Sequence, residues 1–153
     1  MESKDIRHFR EGLRQLQRNL GWLLKSDAAC CGITVAQCHA LLEIGKNYDI
    51  TLVELASALG LDTSTLSRTI DGMVEAGIVE RKAKPEDRRY LKIVTTRRGK
   101  DILDEINCTF DTFYRKVFNS IPMEKHAQII ESINLLATTL ADNNNTCCGK
   151  ELT

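Results

Sequence analysis

Four of the chain's six cysteines come as adjacent pairs, Cys30–Cys31 and Cys147–Cys148, and a glycine follows each pair. Neighbouring cysteines do not readily bond to each other, because a vicinal disulfide strains the peptide between them and misses the usual Cα separation. They are better suited to holding something. Thiolates are soft donors that select Cu(I), zinc and similar ions, and three convergent thiolates suit a pyramidal trivalent metalloid such as As(III) or Sb(III). Zinc fits less well, since its structural sites favour C-x₂₋₄-C and H-x₃₋₅-H spacings and no C-x-x-C occurs. Redox sensing is the competing chemistry. A thiol near an arginine or a helix N-terminus can oxidise and then pair with a resolving thiol, and Cys31 lies just ahead of a predicted helix. Cys38 and Cys108 fall inside predicted helices, where cysteine behaves as a small core residue. His39, beside Cys38, reads as a packed or surface histidine rather than a ligand.

The second chemical signal is charge. The chain holds 21 basic and 21 acidic residues, a formal net charge of zero. Residues 81–100, "RKAKPEDRRYLKIVTTRRGK", hold nine of the basic residues and two of the acidic ones, a local +7. Residues 27–80 carry eight acids against Lys46 and Arg68. A neutral protein with one concentrated basic element presents that element to an anionic partner.

Length and composition frame both signals. A chain of 153 residues, 42% hydrophobic and 27% charged, is expected to form one globular domain with a real core. The opening "MESKDIRHFREGLRQLQRNL" is charged from the start, unlike a signal peptide, and no apolar run reaches the roughly 18 residues of a membrane span. A cytoplasmic protein that makes no membrane contact is expected, and there cysteines stay reduced.

The elements that position these residues follow from periodicity and caps. Ile6, Phe9, Leu13, Leu16, Leu20 and Leu23 form one apolar stripe on a long first helix, which Asp27–Gly32 is expected to break. Thr34 with Gln37 makes a capping box that opens a second helix ending near Gly45, and Thr51 with Glu54 makes another that opens a short third helix. Gly60 supplies a turn, Asp62 or Thr63 caps a fourth helix, and Gly77 ends it. Two strand-like runs, 78–84 and 90–96, flank a turn at Pro85–Arg88. Thr96 caps a fifth helix striped with Leu103, Ile106, Phe110, Phe113 and Val117. Pro122 suits the first turn of a sixth, whose apolar side is Ile129, Ile130, Ile133, Leu136 and Leu140.

A short helix, a glycine turn and a second helix make a helix-turn-helix, and the basic hairpin behind it makes it winged. Leu52, Leu55, Ala56, Leu59, Leu66, Ile70 and Met73 are expected to fill its core. The stripes on the terminal helices exceed what that core can cover. Burial against a second copy, as a two-fold dimer, is the simplest remedy, and an ordinary monomer core is the alternative.

Residues 52–103 resemble the DNA-binding core of the MarR family of bacterial and archaeal transcriptional regulators. The most specific element is Asp87-Arg88-Arg89, a D-x-R signature leading through alternating strand residues to Thr96 and Gly99. The hydrophobic order fits the family from about residue 5 to residue 142, most strongly over the winged helix. Thr95 departs from it, standing where the family usually has leucine. The resemblance implies a mainly α fold of six helices with a β-hairpin wing. Within one domain over 1–142, residues 30–100 would form the DNA-binding lobe. Residues 1–29 and 101–142 would be dimerisation helices, with 143–153 as a cysteine-containing tail. It also implies a homodimer on a palindromic double-stranded operator, usually a repressor released by a small ligand or by thiol modification.

On that frame Ser64, Thr65, Ser67 and Arg68 form a polar face near the start of the second helix of the motif. The hydroxyls permit close approach to a groove, and Arg68 reaches a guanine edge or a phosphate. Ser64 and Thr65 also suit a simple helix cap. Arg89 would enter the minor groove from the wing tip, with Asp87 supporting it. Lys82, Lys84, Arg88, Arg97 and Arg98 are candidates for phosphate contacts. The family's effectors commonly act at the dimer layer and the cleft between it and the DNA-binding lobe. The junction of the first and second helices, which carries Cys30 and Cys31, borders that region. Cys147 and Cys148 follow the last helix of the same layer, so the two pairs can meet across the two-fold as ligands for a thiophilic ion. That effector aside, no cofactor is required. A small aromatic ligand is a further possible effector. No phosphate loop, G-x-S-x-G, H-E-x-x-H or C-x-x-C points to an enzyme, and a winged helix that has turned to protein contacts would often lack the basic wing.

Overall fold

The computed structural model describes residues 3–47, 49–83 and 91–143, with the backbone alone over 26–30. The chain divides into two compact units, Met1–Thr109 and Phe110–Thr153.

In the first unit α1 spans Ser3–Cys30. It does not break at Asp27: Ala28 and Ala29 favour the helix, which ends at Cys30, and the turn after it passes through Gly32, whose φ of 68° suits glycine. Of its apolar stripe only Leu23 is buried, while Ile6, Phe9 and Leu16 are 42–46% exposed.

The expected capping boxes are present. Thr34 Oγ1 accepts from the Gln37 N–H at 3.2 Å and Gln37 Oε1 accepts from the Thr34 N–H at 2.9 Å, opening α2 (Val35–Lys46). Thr51 and Glu54 repeat the arrangement at 3.3 and 2.7 Å at the start of α3 (Leu52–Leu59). Asp62, not Thr63, is the N-cap of α4 (Thr63–Glu75). Gly77, at φ 67°, turns the chain out of α4, and the Ile78 N–H closes the turn on the Met73 carbonyl at 2.9 Å.

The wing strands are β2 (Val79–Ala83) and β3 (Leu91–Thr95). A two-residue strand, β1 (Ile50–Thr51), adds to the other side of β3, giving an antiparallel sheet of order β1-β3-β2. Two residues are too few for any alternation to show, so periodicity cannot reveal such a strand. The register sets Ile50 against Ile93, Arg81 against Ile93 and Lys82 against Lys92.

The core of this unit is formed by Leu41, Leu55, Leu66, Ile70, Met73, Val79, Ile93, Ile106 and Cys38, all under 2% exposed. Leu52 and Leu59, expected in that core, are half-buried. Cys108 is exposed rather than packed. It stands two residues from buried Ile106, about 200° around the helix α5 (Arg97–Asn119), and so on its opposite side.

α5 runs Arg97–Asn119. Its first turn is fixed by Thr96, whose hydroxyl accepts from the Gly99 N–H at 3.1 Å and lies 2.7 Å from the Gly77 carbonyl, to which it donates. Gly99 is required there by close approach, because a Cβ would collide with the Ile78 carbonyl oxygen.

In the second unit Pro122 precedes a single 3-10 turn, Met123–Lys125, before α6 (His126–Asp142) begins. His126 Nε2 lies 3.0 Å from the Phe118 carbonyl and 2.9 Å from that of Ile121. Carbonyls only accept, so Nε2 carries the proton and ties the turn together. Ile130, Ile133 and Leu140 of α6 and Phe113 and Val117 of α5 stay 36–52% exposed.

Candidate nucleic-acid interface

α4 presents two faces. Leu66, Ile70 and Met73, at i, i+4 and i+7, are fully buried. Opposite them Ser64, Thr65 and Arg68 are exposed, and Ser67 is half-buried at their edge. Asp62 organises the N-terminal end. Its Oδ1 accepts from Ser64 Oγ at 2.5 Å and from the Thr65 N–H at 2.7 Å. Those bonds, Ser64 first, hold the Asp62 carboxyl well below the usual carboxylate range. Ser64 therefore serves the cap as well as lining the exposed face.

The other end of α4 is held by groups whose roles the sequence does not announce. Arg98 Nη1 donates to the Ala76 carbonyl at 2.8 Å, satisfying a terminal acceptor of α4 and placing a cation at its negative end. Arg81 Nη2 pairs with Asp71 Oδ1 at 2.7 Å, joining β2 to the exposed face of α4. Lys82 pairs with Glu80 at 2.7 Å and Lys92 with Asp49 at 2.5 Å. Part of the basic concentration over 81–100 is thus engaged inside the protein. Among the described residues, Arg97 and Lys100 are exposed and make no ion pair. The Glu80–Lys82 pair had a visible signal, since residues two apart share a strand face. Arg98–Ala76 and Arg81–Asp71 span 22 and 10 residues with no local pattern.

Lys84, Asp87, Arg88 and Arg89 lie outside the described residues, as do Cys147 and Cys148. Cys30 is the last residue of α1, described by its backbone alone, and Cys31 is half-buried just beyond it. His39 is exposed. Among the described residues no three His, Cys, Asp or Glu side chains gather in a way that could hold a metal ion.

An exposed polar helix face beside a sheet-rooted wing is the arrangement of a winged helix, and the MarR family model matches residues 33–91. Over that stretch the chain is similar to the MarR family. It is 24% identical over 115 residues to the HTH-type transcriptional regulator BilQ of Clostridium symbiosum, covering 75% of this chain and 80% of that one. Its fold is that of a MarR family protein from Bacillus stearothermophilus (TM-score 0.83, 21% identity, 92% of this chain and 98% of that one). Streptococcus pneumoniae FabT, solved in complex with DNA, is also similar (TM-score 0.78, 20% identity, 90% of this chain and 98% of that one). MarR proteins are transcription regulators rather than enzymes. No helix among this chain's described residues is long and apolar enough to cross a membrane.

Proposed function

We propose that this chain is a MarR-type transcriptional regulator that acts as a homodimeric repressor on a palindromic operator. Capture of a thiophilic ion, As(III) or Sb(III) foremost, by Cys30, Cys31, Cys147 and Cys148 then releases it. The observation that carries DNA readout is the exposed face of Ser64, Thr65 and Arg68 on a helix whose other face is fully buried. Such a helix can enter a major groove without disturbing its own core. With its proton on Asp62, Ser64 keeps lone pairs to accept from an adenine or cytosine amino group. Arg68 donates to a guanine edge or a phosphate. Arg89 is assigned to the minor groove, supported by Asp87, with Lys84 and Arg88 on phosphates. Support for the dimer comes from the stripes of α1, α5 and α6, which stay open in the single chain.

The thiol assignment rests on the doubled pairs, since two adjacent pairs exceed what a one- or two-cysteine peroxide sensor needs. Capture is a ligand exchange without change of oxidation state. Arsenous acid gives up three hydroxyls, three thiols give up three protons, and three waters leave as three As–S bonds form. The test is a gel-shift titration of the reduced protein on its operator. Release by arsenite, lost in Cys30→Ser and Cys147→Ser and not produced by peroxide, is the expected result. Release by peroxide but not by arsenite would overturn capture in favour of redox sensing.

A further inference from the structure

A cavity of about 460 Å³ lies in the first unit among the C-terminal end of α2, the wing strands and the start of α5. Its polar lining is unusual. Lys82 and Lys92 are direct cross-strand partners, so two like charges face each other on neighbouring strands, an arrangement that destabilises a sheet. Lys100, from the first turn of α5, lines the same cavity. Glu80 and Asp49 hold Lys82 and Lys92 from the side, but neither carboxylate lines the cavity. Among the described residues Lys100 has no ion pair, and the lining contains one acid, Asp104. Among the described residues the remaining wall is Ile44, Gly45, Val94, Thr95 and Leu103, with no aromatic ring.

Strand alternation places this cavity away from α4. Arg81 points to the face that meets Asp71 of α4, so Lys82, the next residue, points to the other face. A phosphate of DNA lying along α4 would meet the face that Arg81 occupies. The lysines of the cavity serve something else.

We propose that this cavity binds a small aliphatic carboxylate. Its head relieves the Lys82–Lys92 repulsion and engages Lys100, and its chain lies against Ile44, Val94 and Leu103. Such a ligand ties both strands at the root of the wing to the first turn of α5. The site uses no cysteine, and its binding is read without DNA, so its failure is distinct from failure of the thiol-switch reading.

The test is a titration of the intact, DNA-free protein with hexanoate, hexanamide and inorganic phosphate, followed by amide chemical shifts at Gly45, Val94, Thr95 and Lys100. Saturable shifts with hexanoate, and weaker ones with hexanamide and phosphate, are expected. Lys100→Met should weaken hexanoate about tenfold, the loss of one charge-assisted contact, and Lys100→Arg should restore most of it. Equal response to hexanamide would overturn the anion assignment, and equal response to phosphate would overturn the role of the aliphatic wall. Unaltered binding in Lys100→Met, or shifts that never saturate, would remove the site altogether.

Discussion

Arg81 on β2 and Asp71 on α4 meet at 2.7 Å, which fastens the root of the wing to the helix that presents Ser64, Thr65 and Arg68. Both side chains are partly open to solvent, at 32% and 56%, so screening limits what the pair is worth. In a double-mutant cycle of Arg81→Gln and Asp71→Asn, urea unfolding should give a coupling of about 0.2–1 kcal/mol. A zero coupling would make the pair ornamental.

Two glycines separate hard from soft close approach. At Gly99 an added Cβ meets the Ile78 carbonyl, and backbone cannot move aside cheaply; at Gly45 it meets the tip of the Leu103 side chain, which can rotate. Gly99→Ala should cost about 1–3 kcal/mol or more by overpacking, and Gly45→Ala distinctly less. Urea midpoints of the two variants check the order.

Asp62 makes the stability of α4 sensitive to acid. Its carboxyl titrates below its unfolded value of about 3.9, so the charged cap stabilises the fold fully above that pH. The contribution fades as pH falls toward the folded value. Asp62→Asn keeps an N-cap that accepts a hydrogen bond but has no proton to gain. Its unfolding free energy should therefore fall less steeply below about pH 4 than that of the parent chain. Parallel slopes would show that Asp62 is not the titrating group.

Operator binding follows from the assigned readout. Arg68→Ala and Arg89→Ala should each weaken a specific operator by about 1–3 kcal/mol if they read base edges or groove shape. Affinity for the parent protein should fall steeply with salt as cations leave the DNA. An Arg89→Ala variant of unchanged affinity would remove the wing from the mechanism.

The open apolar stripes predict association. Phe113→Glu or Ile130→Glu places a charge where each side chain is 36% and 52% exposed in the single chain. Either variant should shift sedimentation equilibrium toward monomer while helix content stays near that of the parent. A parent chain that sediments as a monomer at all concentrations would refute the dimer.

Much of this molecule is written locally. Capping boxes at Thr34–Gln37 and Thr51–Glu54 involve residues three apart, so chain order alone places them. The buried face of α4 follows from residues spaced at i, i+4 and i+7. The same spacing leaves Ser64, Thr65 and Arg68 outside. What escaped were features without a period: the two-residue β1, the α1 turn that runs on to Cys30, and the exposure of Cys108, which depends on which side of α5 the core occupies.

By itself, then, the sequence determined the helices, their caps, the paired strands and the exposed polar face of α4, because each depends on residues close together along the chain. Tertiary structure alone decided how the basic residues are used. Arg98 caps α4, Arg81 latches the wing root, and Lys82, Lys92 and Lys100 converge on one cavity. A charge's partner is set by distance in space, and the separations of 10 to 43 residues spanned by the Arg81, Arg98 and Lys92 contacts carry no trace of it along the chain.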